Sequence, residues 1–347
     1  MDLSVYCDES VFGRLRAEWN HLLARTSVDT IFLTWEWQST WWRHLGARRG
    51  PLYILTARDE GRLVAIMPLY LSSEGSLRTL QVVGCIEVSD YLDIIVEKDR
   101  EEEVYANLLD WLDGPEAPSW DLLDLCNQPA ASLAHTLLPD MVRRRGWRAE
   151  VLQEDVCPVV ELPAPGSEAA SSAGWEQYLA KLDKKQRHEI RRKLRRLERE
   201  APGSSLRLVE GGPDLPVAVD QFIGLHVMSA PEKQEFMNEE MRSFFHAIAE
   251  VASERGWLQL AFLELDGQPA ASYFCFDYAN EILVYNSGYD AQRSPQLSPG
   301  WVLLAKLIEH AIAQGRQRFD FLQGDEEYKY RFGGVDSPVY RTLIRRT

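Results

Sequence analysis

The densest run of reactive side chains is Asp320-Phe321-Leu322-Gln323-Gly324-Asp325-Glu326-Glu327-Tyr328-Lys329-Tyr330-Arg331-Phe332-Gly333. Its carboxylates are of the kind that take a proton from an attacking nucleophile, and its lysine can hold an anion. Asp320 lies in a predicted strand and alternates with Phe319 and Phe321, so it faces the other side from them. A charge inside a sheet is costly unless it is paired or put to use. Two readings follow: a stabilising ion pair with Lys329 or Arg331, or a catalytic or substrate-orienting carboxylate. Gly324 lets the chain turn sharply where the strand ends.

Three further groups have chemistry to offer. Ser298-Pro299-Gly300 marks a helix start, where a small residue leaves first-turn amides uncovered for a phosphate. An ordinary capped helix is the plainer reading. His226, near the end of a predicted helix, can as neutral imidazole bind an amine or take its proton, or serve only in packing. Tyr285, Asn286, Ser287 and Tyr289 add polar groups to the strand before the glycine-led helix. The spacing Tyr-x-x-x-Tyr puts both rings on one strand face.

The elements that must position these residues recur twice. Leu52 to Leu71 reads strand, Asp-Glu-Gly-Arg turn, strand; Trp257 to Phe276 reads strand, Asp-Gly-Gln turn, strand. Each hairpin leads to another strand, then a helix (101–112; 300–314), then a strand with an acidic residue, Asp124 or Asp320. Such an ordered series points to internal duplication. Residues 163–174, rich in Pro, Ala, Ser and Gly, read as a linker, which divides the chain into 1–165 and 166–347. This is not the βαβ rhythm of a doubly wound sheet, and no GxGxxG or GxxxxGK[ST] occurs in a fitting context. The expected class is α/β (α+β): two mixed, largely antiparallel sheets flanked by helices.

Composition narrows the function. The 347 residues carry a net charge of −15, which disfavours nucleic acid and anionic membranes as general partners. Residues 179–200 run the other way, with ten Lys or Arg against four Asp or Glu. The helix expected over 184–200 presents Lys184, Lys185, Arg187, Arg191, Arg192, Arg195, Arg196 and Arg199. It reads as a solvated face, as a docking surface for an anionic partner, or as a contact for the acidic surface of a second subunit. The five widely spread cysteines lack metal spacing and read as free thiols of a reducing compartment. No apolar run is long enough to span a membrane and no secretory leader is visible, so a cytoplasmic enzyme without a metal is expected.

The stretch Lys184-Lys185-Gln186-Arg187-His188-Glu189-Ile190-Arg191-Arg192, the segment Gly256-Trp257-Leu258-Gln259-Leu260, the turn Asp266-Gly267-Gln268-Pro269-Ala270 and the run Phe319 to Lys329 together resemble the CelD/BcsL-type acetyltransferases. These belong to the GNAT superfamily and are related to the FemAB peptidoglycan aminoacyltransferases. The resemblance is strong over 175–335 and looser before it. It implies tandem GNAT-like domains, with 1–165 degenerate and 166–347 catalytic. It further implies N-acylation of a small-molecule amine or amino sugar by acyl-CoA, acetyl-CoA above all, with an acyl carrier protein or aminoacyl-tRNA as other donors. A non-catalytic scaffold in polysaccharide synthesis is the rival reading. Carried onto this chain, it makes Asp320, Glu326 and His226 the catalytic candidates. It puts Asp325 and Lys329 at the substrate and Ser298 and Gly300 at the donor, and the reading of the residues themselves adds Tyr289, Tyr285 and Asn286 at the substrate and Ser287 at the donor. A strand-edge amide between Asn286 and Tyr289 would hold the thioester carbonyl. After His226 the family tends toward a basic residue and then Lys-Gly, whereas this chain reads Met228-Ser229-Ala230-Pro231-Glu232-Lys233-Gln234.

Overall fold

A computed structural model describes the chain except residues 73, 86, 87, 164–170 and 347, and of 171 and 172 the backbone alone. The expected division between 165 and 166, and much of the expected linker, fall outside the described residues. The chain forms two compact units, Met1–Val156 with Ser337–Thr347, and Cys157–Asp336. The final residues thus pack with the first unit.

The first unit contains β1 (Asp2–Tyr6), α1 (Ser10–Leu23), α2 (Trp35–Trp41), β2 (Leu52–Asp59), β3 (Arg62–Ser72), β4 (Thr79–Val82), β5 (Ile95–Val96), α3 (Glu101–Asp113), β6 (Leu122–Pro129) and α4 (Leu137–Arg144). β7 (Arg148–Glu161) carries the chain onward. β2 and β3 form the expected hairpin, turning on Glu60-Gly61, both at positive φ as a tight hairpin of this hand needs. β4 lies antiparallel to β3 and parallel to β6, the latter over only Thr79–Gln81 against Leu122–Asp124.

The second unit adds α5 (Ser171–Lys181), α6 (Lys184–Glu200), β8 (Ser205–Val209), α7 (Leu215–Ser229), α8 (Pro231–Phe236), α9 (Glu239–Glu254), β9 (Leu258–Leu265), β10 (Gln268–Tyr278), β11 (Glu281–Tyr289), α10 (Pro299–Ala313), β12 (Arg318–Asp320) and α11 (Glu327–Arg331), before β13 (Val335–Arg345) closes the chain. The hairpins β9–β10 and β10–β11 turn on Asp266-Gly267 and Ala279-Asn280, again with paired positive φ. α6 starts at Asp183, whose side chain accepts from the Gln186 amide at 2.9 Å. The order hairpin, strand, helix, parallel strand repeats that of the first unit, and β11 pairs with β12 only over Glu281–Leu283 and Arg318–Asp320.

One sheet face of the second unit buries Tyr273, Cys275, Ile282, Val284, Phe319 and Phe321 with Tyr178, Ile190, Leu303 and Leu307 of α5, α6 and α10. Burial on this scale dominates the stability of the unit. On the other face Phe222 and Phe245, from α7 and α9, pack on Phe274. Among the described residues no helix is long and apolar enough to cross a membrane.

One expectation changes. Cys85 and Cys126 form a disulfide; Cys7, Cys157 and Cys275 are free. Their wide sequence separation concealed the pairing, because β4 and β6 are brought side by side only by the sheet. The short helices α8 and α11, and strand β1, were not visible as periodic patterns.

Candidate active site

The site begins with one irregularity in β11. Cys275 faces Val284 and Phe274 faces Asn286, so Tyr285 is an extra residue, a β-bulge. The bulge resets the alternation of side chains. The Tyr285 ring packs on Phe245, Phe274 and Phe276, while Tyr289 lines a cleft on the opposite face. The expectation that both rings share a face fails for this reason.

Beyond the bulge the backbone polarity can be read off the ladder. The Asp290 amide donates to the Ala270 carbonyl at 3.0 Å. In an antiparallel pair, amide and carbonyl of one residue point the same way, and neighbours alternate. Asp290, Gly288 and Asn286 therefore turn toward β10, and Ser287 and Tyr289 turn away from it. β12 has already left after Leu283, so the Ser287 and Tyr289 amides face the gap where the two parallel strands diverge.

A cleft of about 420 Å³ lies at this gap, lined by Tyr273, Ser287, Gly288, Tyr289, Ser298, Gly300, Trp301, Tyr328 and Lys193 among others. α10 points its N-terminus into it. Ser298 does not cap the helix: it takes the left-handed conformation, and its Oγ accepts from Lys193 Nζ at 2.6 Å. The first-turn amides at Gly300 and Trp301 are thus left without a side-chain cap, and the helix dipole adds partial positive charge. Lys193 also lies 5.1 Å over the Trp301 ring. Burial lowers its pKa, with Glu189 acting against that shift. Lys193 was missed among the arginines of α6. The available signal was its register: it is three residues after Ile190 and four before Leu197, on the apolar stripe rather than the solvated face.

On the other side of the β11 edge stands His226, 1% exposed. Its Nδ1 lies 3.0 Å from the Ser287 carbonyl, an oxygen that can only accept, so Nδ1 carries the hydrogen and Nε2 a lone pair. Nε2 is buried and has no hydrogen-bond partner among the described residues. Burial, and then the charge of Lys233, push the imidazole down to about 4, against the pull of the carbonyl. His226 is therefore neutral near pH 7. Lys233 Nζ donates to the same carbonyl at 2.6 Å. Gly288 is what allows this closeness: a Cβ there would meet His226 N at 2.3 Å and Leu225 C at 2.5 Å.

His226 should make the protein acid-sensitive. Unfolded, its imidazole takes a proton near 6.5; folded, only near 4. Between these values the unfolded chain binds more protons, so stability falls as pH drops through that window, by up to about 3 kcal/mol. Denaturant midpoints at pH 7 and pH 4.5 should show this fall, and His226→Asn should remove most of it.

The acidic cluster is arranged differently from the catalytic expectation. Asp320 is buried, on the face opposite Phe319 and Phe321 as its alternation predicts. Its Oδ1 accepts the Leu322 amide at 2.7 Å, holding a turn in which Leu322 has φ of +57°. Lys329, 2% exposed, donates to the carbonyls of Leu322, Gln323 and Gly324 at 3.0, 2.6 and 3.0 Å and pairs with Glu326 at 2.9 Å. An ammonium with four acceptors is engaged in holding this loop, where the sequence suggested a substrate anchor or a partner for Asp320. Arg331 pairs with Glu327. Asp325 and Glu326 are exposed, and Glu326 is an electrostatic neighbour of Lys233. Asp320, Asp325, Glu326 and Lys329 are not among the residues lining the cleft; Ser287, Tyr289, Ser298 and Gly300 are. Asn286 is half-buried and lies on the His226 side of β11.

Of the residues lining or underlying the cleft, Tyr328 and Cys275 have pKa values raised by burial and so stay protonated. Cys275 is thereby unsuited to act as a nucleophile.

The corresponding gap in the first unit is closed. Just past the parallel pairing of β4 and β6, the Cys85–Cys126 disulfide ties the two strands. Val83, Val88, Tyr91 and Leu92 are buried in the same loop region. The Leu92 amide donates to the Asn127 carbonyl at 2.8 Å. Asp124, the counterpart of Asp320, is held by Arg341 at 2.7 Å.

Residues 184–330 match the acetyltransferase (GNAT) domain family. No curated protein sequence matches the chain. Among solved structures the chain is similar to FemX, with a TM-score of 0.65 at 9% identity, covering 99% of this chain and 97% of that one. L-PGS from Bacillus licheniformis gives 0.56 at 14%, covering 95% and 91%. A tandem GNAT protein from the clavulanic acid biosynthesis pathway gives 0.50 at 13%, covering 98% of each. At these identities the likeness is one of fold. The chain therefore has a mixed α/β fold like that of tandem GNAT proteins, and its residues 184–330 match the acetyltransferase (GNAT) domain family.

Proposed function

We propose that the second unit is an N-acyltransferase that passes an acyl group, acetyl above all, from acyl-CoA to the amine of a small molecule or saccharide by direct attack. The observation that carries this reading is the open β11 edge, with the uncapped start of α10 on one side and the free His226 Nε2 on the other. The motifs shared with CelD/BcsL-type acetyltransferases support the same reading.

In this mechanism the donor's phosphates lie at the α10 N-terminus beside Lys193 and Ser298. The thioester carbonyl accepts from the outward amides of Ser287 and Tyr289, which stabilise the developing oxyanion. The amine nitrogen attacks the carbonyl carbon, the C–S bond breaks, and the thiolate leaves. The nitrogen becomes cationic on attack, so even a weakly basic imidazole can take its proton at Nε2. Exposed Glu326 offers a further acceptor through water. Tyr328, kept protonated by burial, would give a proton to the departing sulfur. The first unit, with its gap closed, serves as support.

An acyl carrier protein could deliver the same thioester. Lys184, Lys185 and Arg195 on α6 are exposed, on the same helix that supplies Lys193, and would suit an acidic carrier.

Release of free thiol from acetyl-CoA and longer acyl-CoAs, followed with an amine panel, tests the reading; a protein that binds no thioester and releases no thiol with any acceptor would refute it. Lys193→Met should raise the KM for acetyl-CoA about tenfold with kcat little changed, the loss of one charge-assisted contact. An unchanged KM would remove Lys193 from the donor site.

A further inference from the structure

We propose that the acceptor is an amine carrying its own carboxylate, an amino-acid-like molecule, and that Lys233 is the residue that receives that carboxylate. This inference rests on the acyltransferase reading and names its substrate class.

The starting point is a cation held in no direct ion pair among the described residues. Lys233 is half-buried on α8 and donates to the neutral carbonyl of Ser287 at 2.6 Å. Among the described residues it forms no ion pair. Glu326, the carboxylate whose charge acts on it, is already bonded to Lys329 at 2.9 Å. A partly desolvated ammonium in this position is stabilised by an anion that comes to it. Desolvation lowers its affinity for a proton, and the charge of Glu326 offsets that only in part.

Geometry then links the anion to the reacting nitrogen. His226 Nδ1 and Lys233 Nζ converge on one oxygen, at 3.0 and 2.6 Å. The two nitrogens are therefore on the order of 5 Å apart or less, a span set by two hydrogen bonds. Nε2 lies across the same imidazole ring, so an amine reaching it and a carboxylate reaching Lys233 fit within one short molecule. Asn286, half-buried on the same face, can orient it. The remaining nearby lysine, Lys329, is enclosed by three carbonyls and Glu326. One available ammonium suits a singly charged carboxylate better than a dianionic phosphate.

The carboxylate would also assist the chemistry. The charge of Lys233 disfavours a proton on His226; a carboxylate bound there cancels it and makes Nε2 a better base. The new N–C bond forms as the C–S bond breaks, the amine proton passes to His226, and the thiolate takes a proton to leave as thiol.

The test uses the full chain with saturating acetyl-CoA and matched acceptors: α-, β- and γ-amino acids, their carboxamides, the amines lacking the carboxylate, and aminoalkyl phosphates. For at least one chain length, kcat/KM for the acid should exceed that for its amide by about 10- to 100-fold. The ratio should collapse to within about threefold in Lys233→Gln and be partly kept in Lys233→Arg. Calorimetry of the same pairs with CoA present reads the preference without turnover. Turnover without a preference for acids, a preference for phosphates, or a ratio unchanged in Lys233→Gln overturns the Lys233 assignment and leaves acyl transfer standing. A Lys233-dependent preference in binding, with no turnover of any amine, upholds the anion site and overturns acyl transfer. Neither binding preference nor turnover overturns both.

Discussion

Replacing His226 with asparagine is expected to lower kcat/KM for acyl transfer by about 10²- to 10⁴-fold, the range for losing a general base. Asparagine is chosen because its amide can still donate to the Ser287 carbonyl, as Nδ1 does at 3.0 Å, while nothing replaces Nε2. The loss should fall on kcat more than on the donor's KM, because the proposed donor site is on the α10 side of the β11 edge. The side chain is packed against Phe222 and Phe236, with ring centroids 5.6 and 6.1 Å away. A folded variant is confirmed by an unfolding transition at pH 7 close to that of the parent. A variant that folds and retains full kcat would show that the proton goes elsewhere, with Glu326 the next residue to replace.

Gly288→Ala should do comparable harm without removing any functional group. The added methyl would fall 2.3 Å from His226 N, 2.5 Å from Leu225 C and 2.6 Å from His226 Cα. All three are backbone atoms of α7, which cannot swing aside as a side-chain tip can. α7 must move off β11, carrying His226 with it. Overpacking of this kind costs about 1–3 kcal/mol, and a displacement of about 1 Å at a reacting group costs on the order of 10²-fold in rate. Parallel measurement of the denaturant midpoint and of kcat separates the two effects. A variant with normal stability and normal turnover would mean that α7 and β11 are not held together as tightly as the site requires.

Much of the architecture was legible because it is written in local patterns. The paired hairpins at Asp59-Glu60-Gly61 and Asp266-Gly267 follow from turn residues that tolerate positive φ. The helix start at Pro299-Gly300 and the facing of Asp320 away from Phe319 and Phe321 follow from the same kind of rule. Ser287, Tyr289, Ser298 and Gly300 were placed at the cleft on that basis.

What escaped was set by contacts between distant segments. Alternation along β11 could not reveal the bulge at Tyr285, because a bulge exists only relative to the partner strand β10. Lys329 read as a substrate anchor or as the ion partner of Asp320, yet it is the loop's internal fastener, since the turn at Leu322 folds three carbonyls back onto it. Lys193 was hidden by the basic run around it, and Lys233 by a short helix without periodicity. Cys85 and Cys126 lie 41 residues apart, and only the parallel pairing of β4 with β6 brings them together. That disulfide, with Asp124 held by Arg341, also explains in physical terms why two units of similar topology differ in having an open gap.

The central claim is that a thioester lies along the diverging edge of β11 with its phosphates at the start of α10. Amide hydrogen exchange of the intact protein, with and without saturating acetyl-CoA, measures this directly. Protection at Ser287, Tyr289, Gly300 and Trp301, with the loop around Cys85 unchanged, is the expected result. Exchange that is unaltered at all four positions while acetyl-CoA is bound, or protection confined to the first unit, would contradict it.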